Sequence, residues 1–411
     1  MPPDRGNRTF DQVVMKSFTS VATLAALLSA AAPAAVEAVA QTPQRPPAPS
    51  AGAAPRLVGS VRLGQPTVRV PVTLNDGRPV VTAYVNGQGP FRLGIETGSP
   101  AAVILYAEAA TRVRMFVPDS AQAWRHRADS VTVGGLWLGD VEVAVLGPSP
   151  LPSQQDGQLG LAAYELLLMT LDYPSATVSF SRDTLPSTGK GILTLTPAGP
   201  LYSVPVTFGD VEMPLALDTQ GNLAFSVRTD LLPRIPLVAP LVQTGIVQGP
   251  AFGILPRMEA RASTNVRIGD YSFERPMVSE LRAAPNLPFD GILGIRALQN
   301  FTIALDQRVR RLRLSRSTDL VPAPPPLRER GMGWRYSTGP LRVLAVIAGS
   351  PAEKAGIMAD DVVLEINGKK TTGFAVSDWQ SFAESADVIT LLIERGGARR
   401  TVQVPSTIFI P

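Results

Sequence analysis

The sequence predicts a mainly β protein in which two similar lobes, related by a pseudo-twofold duplication, are followed by a smaller β/α domain. Three observations predict this fold. Short apolar stretches separated by Gly and Pro run along most of the chain, which is typical of β-strands joined by turns. Several short motifs occur twice in the same order. A Pro-rich segment at 321–326 precedes the last domain-sized stretch.

The repeat starts with two acidic turns, each placed directly after an apolar strand. The first reads Glu-Thr-Gly at 96–98 and the second reads Asp-Thr-Gln-Gly at 218–221. Later in each half the sequence Asp-Gly-x-Leu-Gly occurs, at 156–160 and at 290–294. Because both motifs keep their order, the sequence predicts two equivalent lobes rather than a longer array of repeats.

At these motifs the sequence resembles the pepsin and retropepsin aspartic peptidases. The resemblance is greatest to single-chain bacterial proteins with two fused retropepsin-like lobes and a C-terminal PDZ domain, and the run Val-Asn-Gly-Gln-Gly-Pro-Phe at 85–91 supports it. The resemblance extends over about residues 60–411. It implies a first pepsin-like lobe at 58–184 and a second one at 185–318.

The resemblance also implies a set of site residues. Glu96 and Asp218 take the positions of the paired catalytic carboxylates, and the hydroxyls of Thr97 and Thr219 each brace the opposite lobe. Two carboxyl groups a few ångströms apart share one proton. The charged group then deprotonates a water molecule while the protonated group hydrogen-bonds the scissile carbonyl. This chemistry needs no metal and no cofactor, and we predict neither.

Two departures from the family's pattern bear on activity. Glu96 stands where the family has Asp, which adds one methylene and moves the carboxylate by about 1.5 Å. A misplacement of roughly 1 Å can lower a rate on the order of 100-fold. Gln220 stands where the family has Gly, so its Cβ either clashes or is accommodated by a slipped turn. If the turn is limiting, Gln220→Gly is expected to raise activity.

Three hypotheses therefore stay open. The chain is an exported aspartic-type endopeptidase with a polypeptide substrate, or a weak or inactive pseudo-peptidase that acts as a peptide-binding adaptor, or a purely structural pair of lobes that carries the last domain. One-lobed retropepsins must dimerise to form their site, whereas a duplicated single chain need not. We therefore expect a monomer.

Composition excludes several other chemistries. The chain has 411 residues, a formal net charge of +4, no cysteine and a single histidine, His126. Cysteine nucleophiles, thiolate metal sites and disulfides are therefore excluded, and His-based zinc sites and Ser-His triads are not expected. The arginines at 308–314 largely alternate with apolar residues, which indicates an amphipathic strand rather than a nucleic-acid patch.

The N-terminus predicts export. Residues 1–40 have the features of a signal peptide, and Met15 is expected to be its true start. A short positively charged region begins at Met15-Lys16, an apolar segment follows at 21–35, and a small-x-small cleavage site lies at 38–40. The apolar segment is shorter than the roughly 20 residues of a spanning helix, so no stable membrane insertion is expected. Residues 41–57 predict a disordered, Pro-rich linker. We expect a periplasmic, cell-envelope or secreted location.

A PDZ-like domain is predicted at 329–411, after a Pro-rich linker at 319–328. Ser-Pro-Ala-Glu at 350–353 is the pattern of a capped helix start. Asn-Gly at 367–368 is the pattern of a tight turn after a strand. Together these patterns cover most of a small domain.

The loop Gly-Met-Gly-Trp at 331–334 resembles the carboxylate-binding loop of PDZ domains. The resemblance implies that the N–H groups of Met332, Gly333 and Trp334 hold the free carboxylate of a peptide C-terminus. The expected partner of this domain is therefore a peptide C-terminus, and no nucleic acid is expected to bind the chain.

A lid over the cleft is predicted at 245–253, an apolar stretch with several glycines where the family has a flap hairpin. Gly249 supplies a hinge, and Phe252 is expected to cover a bound peptide. An ordinary long hairpin is the alternative. Helices are predicted at 101–110 and 162–169.

Overall fold

The computed structural model is mainly β, with several sheets and few helices in the part of the chain that it describes. The predicted signal peptide at 1–40 and most of the linker at 41–57 lie outside that part. Among the described residues, no helix is both long and apolar enough to cross a membrane. The described ranges are 56–117, 124–149, 155–249, 253–282, 287–335, 339–373 and 387–411.

The first lobe is built around one large sheet. Its elements are β1 (Val58–Leu63), β2 (Thr67–Pro71), β3 (Thr73–Asn75), β4 (Arg78–Val85), β5 (Gln88–Ile95), β6 (Val103–Tyr106), α1 (Ala107–Arg112), β7 (Trp124–Val133), β8 (Leu136–Leu146), β9 (Gly157–Leu159), a 3-10 helix (Leu161–Tyr164), β10 (Leu168–Asp172) and β11 (Thr177–Ser181). The sheet has the order β1-β8-β6-β9-β5-β4-β3, and β7 pairs with β4 and β8. Strand β5, which leads into the first acidic turn, therefore lies inside the sheet.

The second lobe repeats this plan. Its elements are β12 (Ile192–Thr194), β13 (Thr196–Ala198), β14 (Leu201–Phe208), β15 (Val211–Asp218), β16 (Phe225–Arg228), a 3-10 helix (Leu232–Arg234), β17 (Val242–Gly249), β18 (Gly253–Arg261), β19 (Val266–Ile268), β20 (Tyr271–Phe273), β21 (Met277–Leu281), β22 (Gly291–Gly294), α2 (Ile295–Leu298), β23 (Thr302–Asp306), β24 (Arg311–Ser315) and β25 (Leu320–Val321). Its sheet has the order β17-β18-β21-β16-β22-β15-β14-β19-β20-β25. The parallel pairs β5–β9 and β15–β22 occupy equivalent places in the two lobes.

A third sheet joins the lobes. Its order is β12-β24-β23-β10-β11-β2, so each lobe contributes three strands. The central pair is antiparallel, with Leu168 opposite Asp306 and Asp172 opposite Thr302. Apolar side chains from both lobes form one continuous core.

The repeated Asp-Gly-x-Leu-Gly motif has a steric cause. In each lobe its strand, β9 or β22, lies between two neighbours. A Cβ on Gly157 would lie 2.0 Å from the carbonyl oxygen of Ile104, and a Cβ on Gly291 would lie 2.0 Å from that of Ser226. Because any side chain there would collide with backbone, both lobes need glycine at this position.

The last domain has its own core and sheet. Its elements are β26 (Leu327–Glu329), β27 (Met332–Arg335), β28 (Leu341–Val346), α3 (Pro351–Lys354), β29 (Val362–Ile366), β30 (Lys369–Lys370), β31 (Val388–Arg395), β32 (Ala398–Pro405) and β33 (Thr407–Ile410). The main sheet has the order β27-β28-β29-β31-β32, β30 pairs with β29, and β26 pairs with β33. A separate apolar cluster fills this domain.

Two local predictions for this domain are confirmed. The Ser350 hydroxyl accepts the N–H of Glu353, which is the predicted N-cap, and the Glu353 carboxylate accepts the N–H of Gly349, the residue before the cap, at 2.6 Å. Asn367 and Gly368 have φ values of 49° and 78°, as the tight turn between β29 and β30 requires.

Three other segments differ from the predictions. The helix expected at 101–110 is confined to α1, because Val103–Tyr106 is a fully buried strand between β8 and β9. The helix expected at 162–169 is a 3-10 turn followed by β10 of the joining sheet. Within the predicted linker at 319–328, β25 pairs with β20 and β26 pairs with β33, so both ends of the segment are held by strand pairing.

Candidate active site

The two acidic turns meet at the ends of equivalent strands. Glu96 follows β5 directly, and Asp218 is the last residue of β15. Thr97 and Thr219 join the turns, because the N–H of each donates to the hydroxyl of the other at 3.1 Å. The Thr219 hydroxyl also donates to the carbonyl of Ile95 at 2.7 Å. These hydrogen bonds are buried and therefore hold the two turns firmly against each other.

The carboxyl groups of Glu96 and Asp218 face each other across the boundary between the lobes. A Cβ on Gly98 would lie 3.0 Å from both Glu96 Oε1 and Asp218 Cγ, so these two atoms are at most twice that distance apart. Glu96 is 1% exposed and Asp218 is 4% exposed. The structure thus brings the two predicted acids together, with both side chains almost fully buried.

The backbone around the two carboxyl groups is not symmetric. Asp218 Oδ1 accepts two N–H groups, from Gln220 at 2.9 Å and from Gly221 at 2.6 Å. Glu96 Oε1 accepts one, from Gly98 at 2.6 Å. Since hydrogen bonds from N–H groups favour the charged form of a carboxyl group, this asymmetry favours a negative charge on Asp218.

The electrostatic surroundings act in the same direction. Burial, and then repulsion from Asp218, raises the pKa of Glu96 well above its ordinary value. Burial also raises the pKa of Asp218, but its two N–H donors and the nearby Arg78 guanidinium oppose that rise. We therefore assign the shared proton to Glu96 and the charge to Asp218.

Replacing Glu96 by a side chain that cannot ionise is expected to stabilise the fold at neutral pH. A buried carboxyl with a raised pKa keeps its proton in the folded state while the unfolded chain loses it, so stability falls as pH rises above the unfolded value of 4.5. Glu96→Gln should therefore raise Tm by a few degrees at pH 7 and leave it unchanged at pH 4. Scanning calorimetry at both pH values measures this. The exposed Glu212→Gln on β15 is the control, and an equal gain at pH 4 would contradict the assignment.

Gln220 is accommodated, and its side chain crosses into the first lobe. Its Nε2 donates to the carbonyls of Ile95 at 3.0 Å and Pro79 at 3.1 Å, and its Oε1 accepts from Gln155 Nε2 at 2.5 Å. A Cβ on Gly94 would lie 2.8 Å from the Gln220 amide carbon. The missing side chain at position 94 therefore makes room for the amide.

In the family, the glycine after the threonine lets the turn come close to the acid. In this chain Gly221, one residue later, has that role. A Cβ on Gly221 would lie 2.8 Å from Asp218 Oδ2, so only glycine fits beside the carboxylate. Of the two outcomes expected for Gln220, the structure has the slipped turn and not the clash.

The sequence does not indicate the polar network that lies beside the acids, because its members have no common motif. Arg78 Nε donates to the carbonyl of Gln220 at 2.9 Å and pairs with Asp76 at 3.3 Å. Asp76 also accepts from Asn222 at 2.6 Å and pairs with Arg296 at 3.1 Å. Asp76 and Arg296 are 220 residues apart in sequence, so only the folded chain brings them together.

The predicted lid segment belongs to the hairpin β17–β18. Gly249 ends β17 opposite Gly253 at the start of β18, and Phe252 lies outside the described residues. The hairpin is the edge of the second lobe's sheet and connects through β21, β16 and β22 to β15, which ends at Asp218. Closure of the hairpin over a bound peptide stays a prediction.

The loop at 331–334 leads into β27, the edge strand of its sheet. Gly331 has φ +81°, and a Cβ there would lie 2.1 Å from that of Ser350, so glycine is required. Trp334 is buried in the domain core, and Met332 packs against the same core. Gly333 lies between them, where β27 bulges against β28. Carboxylate binding by the N–H groups of Met332, Gly333 and Trp334 stays a prediction.

Within the described ranges, no group of three or more His, Cys, Asp or Glu side chains could hold a metal ion.

The sequence of the last domain matches a known family. Residues 342–395 match the profile of the PDZ domain. The chain carries a C-terminal PDZ domain. PDZ domains take up extended peptides by strand addition at a sheet edge, which suggests binding of peptide C-termini. No curated protein sequence matches the chain significantly.

Solved structures are similar to two parts of the chain. The PDZ domain of HtrA3 bound to a phage-derived ligand (FGRWV) is 18% identical, with 20% of this chain and 86% of that chain covered and a TM-score of 0.19. A PDZ domain protein from Parabacteroides distasonis is 24% identical, with 20% and 21% covered and a TM-score of 0.19, so the chain spans about a fifth of that protein. A retropepsin-like aspartic protease from Rickettsia conorii is 17% identical, with 29% and 93% covered and a TM-score of 0.23.

Proposed function

We propose that the chain is an aspartic-type endopeptidase that hydrolyses peptide bonds with water activated between Glu96 and Asp218. The observation that carries the proposal is the pair of buried carboxyl groups that face each other across the lobe boundary. Thr97 and Thr219 fix the relative position of the two acidic turns. Catalysis by general acid and base requires such fixed positions.

The asymmetry of the site supports a division of roles. Asp218, with two N–H donors, is the base that takes a proton from the attacking water. Glu96, with the raised pKa, donates its proton to the carbonyl oxygen, which gives a neutral gem-diol. Asp218 then gives its proton to the leaving nitrogen as the C–N bond breaks. Glu96 recovers a proton as the new carboxyl group forms, so both groups return to their starting state.

A second candidate is a cleft that binds peptides without cleaving them. The longer Glu96 side chain favours this alternative, because an extra methylene shifts the carboxyl group from the position that the family uses. The buried cross-lobe contacts of Gln220 do not depend on catalysis and would be equally useful in a binding protein.

Digestion of a mixed peptide library between pH 3 and 8, followed by mass spectrometry, tests the proposal. Cleavage by the purified chain that is lost in Asp218→Asn supports the peptidase. Binding of library peptides without cleavage supports the second candidate. Cleavage that persists in Asp218→Asn would show that another site or a contaminant is responsible.

For the PDZ domain we propose capture of apolar peptide C-termini at β27. Titration of the full chain with an apolar heptapeptide ending in valine should give at least about tenfold tighter binding for the free acid than for the C-terminal amide. The amide lacks the charge that backbone N–H groups favour. Isothermal calorimetry measures both affinities, and equal values would contradict carboxylate binding.

We also propose that the chain is exported to the periplasm or cell envelope, or secreted. The support is the signal-like sequence at 1–40. Fractionation of cells that express the full chain, with N-terminal sequencing of the exported product, tests both the location and the cleavage site.

A further inference from the structure

The PDZ domain packs against the hairpin β17–β18 of the second lobe. Strand β17 contacts β27 and β33 of the PDZ domain. A Cβ on Gly333 would lie 3.0 Å from Ile246 Cδ1 and 3.2 Å from Ile246 Cβ. The Ile246 side chain therefore lies directly over Gly333, in the middle of the loop that is proposed to bind peptide carboxylates.

An ion pair forms a second contact along the same hairpin. Arg257, on β18, reaches Glu329 of β26 at 3.8 Å and Glu259 of its own strand at 3.4 Å. A Cβ on Gly245 would lie 2.8 Å from the Arg257 guanidinium. The glycine on the paired strand therefore leaves the space in which the guanidinium lies.

The base of the hairpin is held by a third contact. Arg261 is buried, and its guanidinium donates to the carbonyls of Pro324 at 3.0 Å and Pro325 at 3.1 Å in the segment before the PDZ domain. It also donates to Pro411 O at 2.6 Å. The hairpin is thus held by the PDZ domain and its flanking residues at three successive points, from its base toward its tip.

Strand β27 takes part both in the contact with hairpin β17–β18 and in the proposed peptide site. One edge of β27 pairs with β28, and no described strand pairs with the other edge. Met332 and Trp334 face the domain core, whereas Gly333 faces Ile246. A peptide added along the other edge would therefore contact the same three residues from a different side without displacing Ile246.

We propose that the PDZ domain restrains hairpin β17–β18, and that a peptide bound at β27 acts on the candidate active site through the contact between Gly333 and Ile246. An added strand fixes the backbone of the edge strand with which it pairs. Binding should therefore tighten the hairpin, which reaches Asp218 through the sheet. The effect on catalysis rests on the proposed peptidase function, whereas the effect on the hairpin does not.

Hydrogen–deuterium exchange of the full chain tests the restraint first without any ligand. Ile246→Ala and Glu329→Gln should each speed exchange over Val242–Arg261 by at least about threefold, because each removes one contact with the PDZ domain. Ile254→Ala is the matched control, since Ile254 lies on the same hairpin and is 46% exposed. Unchanged exchange in both variants would overturn the proposal.

The second part of the experiment adds the free-acid and amide heptapeptides ending in valine. Saturating free acid should slow exchange over the hairpin by at least about threefold in the unmodified chain, and by much less in Ile246→Ala. It should also change the hydrolysis rate of a library substrate at least about twofold. Bound free acid that leaves hairpin exchange unchanged would overturn the coupling. Slowed exchange in a chain that cleaves nothing would support the coupling and contradict only the peptidase.

Discussion

Asp218→Asn is expected to lower the rate of peptide hydrolysis by about 1,000-fold or more. An amide cannot take the proton of the attacking water, and a positioned general base contributes on the order of 100- to 10,000-fold. The substitution keeps the shape of the side chain, so the fold should be retained. Steady-state kinetics on a peptide from the library measures the loss. Asp230→Asn, which changes an exposed aspartate paired with Arg228, is the control and should keep full activity.

Glu96→Asp tests the other carboxyl group of the pair. It keeps an ionisable group and restores the residue that the related peptidases have at this position, so activity should be equal or higher. A loss as large as that of Asp218→Asn would mean that the surrounding turn has adapted to the longer side chain and that the site works only with glutamate.

Gln220→Ala is expected to destabilise the fold by about 2–4 kcal/mol. It removes three buried side-chain hydrogen bonds, to Ile95, Pro79 and Gln155, each at a cost of roughly 1 kcal/mol. Tm should fall by about 5–10 °C in scanning calorimetry. The exposed Gln403→Ala on β32 should change Tm by less than about 2 °C.

The same contacts change the expectation for Gln220→Gly. From sequence alone, glycine at this position would relieve a clash and raise activity if the turn were limiting. The structure has no clash, because Gly94 and Gly221 leave the space that the turn needs. Gln220→Gly should therefore be destabilised at least as much as Gln220→Ala. A gain in both activity and Tm would contradict the role given to the cross-lobe amide.

The mainly β fold and the repeated motif could be read from the sequence because their signals are local. The glycines of the repeated motif are required by backbone contacts within each lobe, as at Gly157 and Gly291, so they leave a readable pattern. The N-cap at Ser350 is equally local. The helix prediction is wrong at the strand Val103–Tyr106, because a short buried apolar stretch has no periodicity that separates helix from strand.

The features that the sequence does not indicate depend on contacts between residues that are far apart in the chain. Nothing near Gln220 in the chain indicates that its amide lies beside Gly94 of the other lobe. Similarly, Ile246 belongs to the segment predicted as a lid over the cleft, and in the structure it lies against Gly333 of the PDZ domain. Such contacts follow from the packing of lobes and domains, for which a single sequence contains no direct signal.

The joining sheet has a consequence for the order of events during synthesis. Thr97 and Thr219 are 122 residues apart, and β10 can pair with β23 only after the second lobe has been made. Domains generally fold in order from the N-terminus as the chain emerges. A nascent chain therefore has one acidic turn without its partner until the second half has been made. The topology of the joining sheet thus places assembly of the candidate site after synthesis of both lobes.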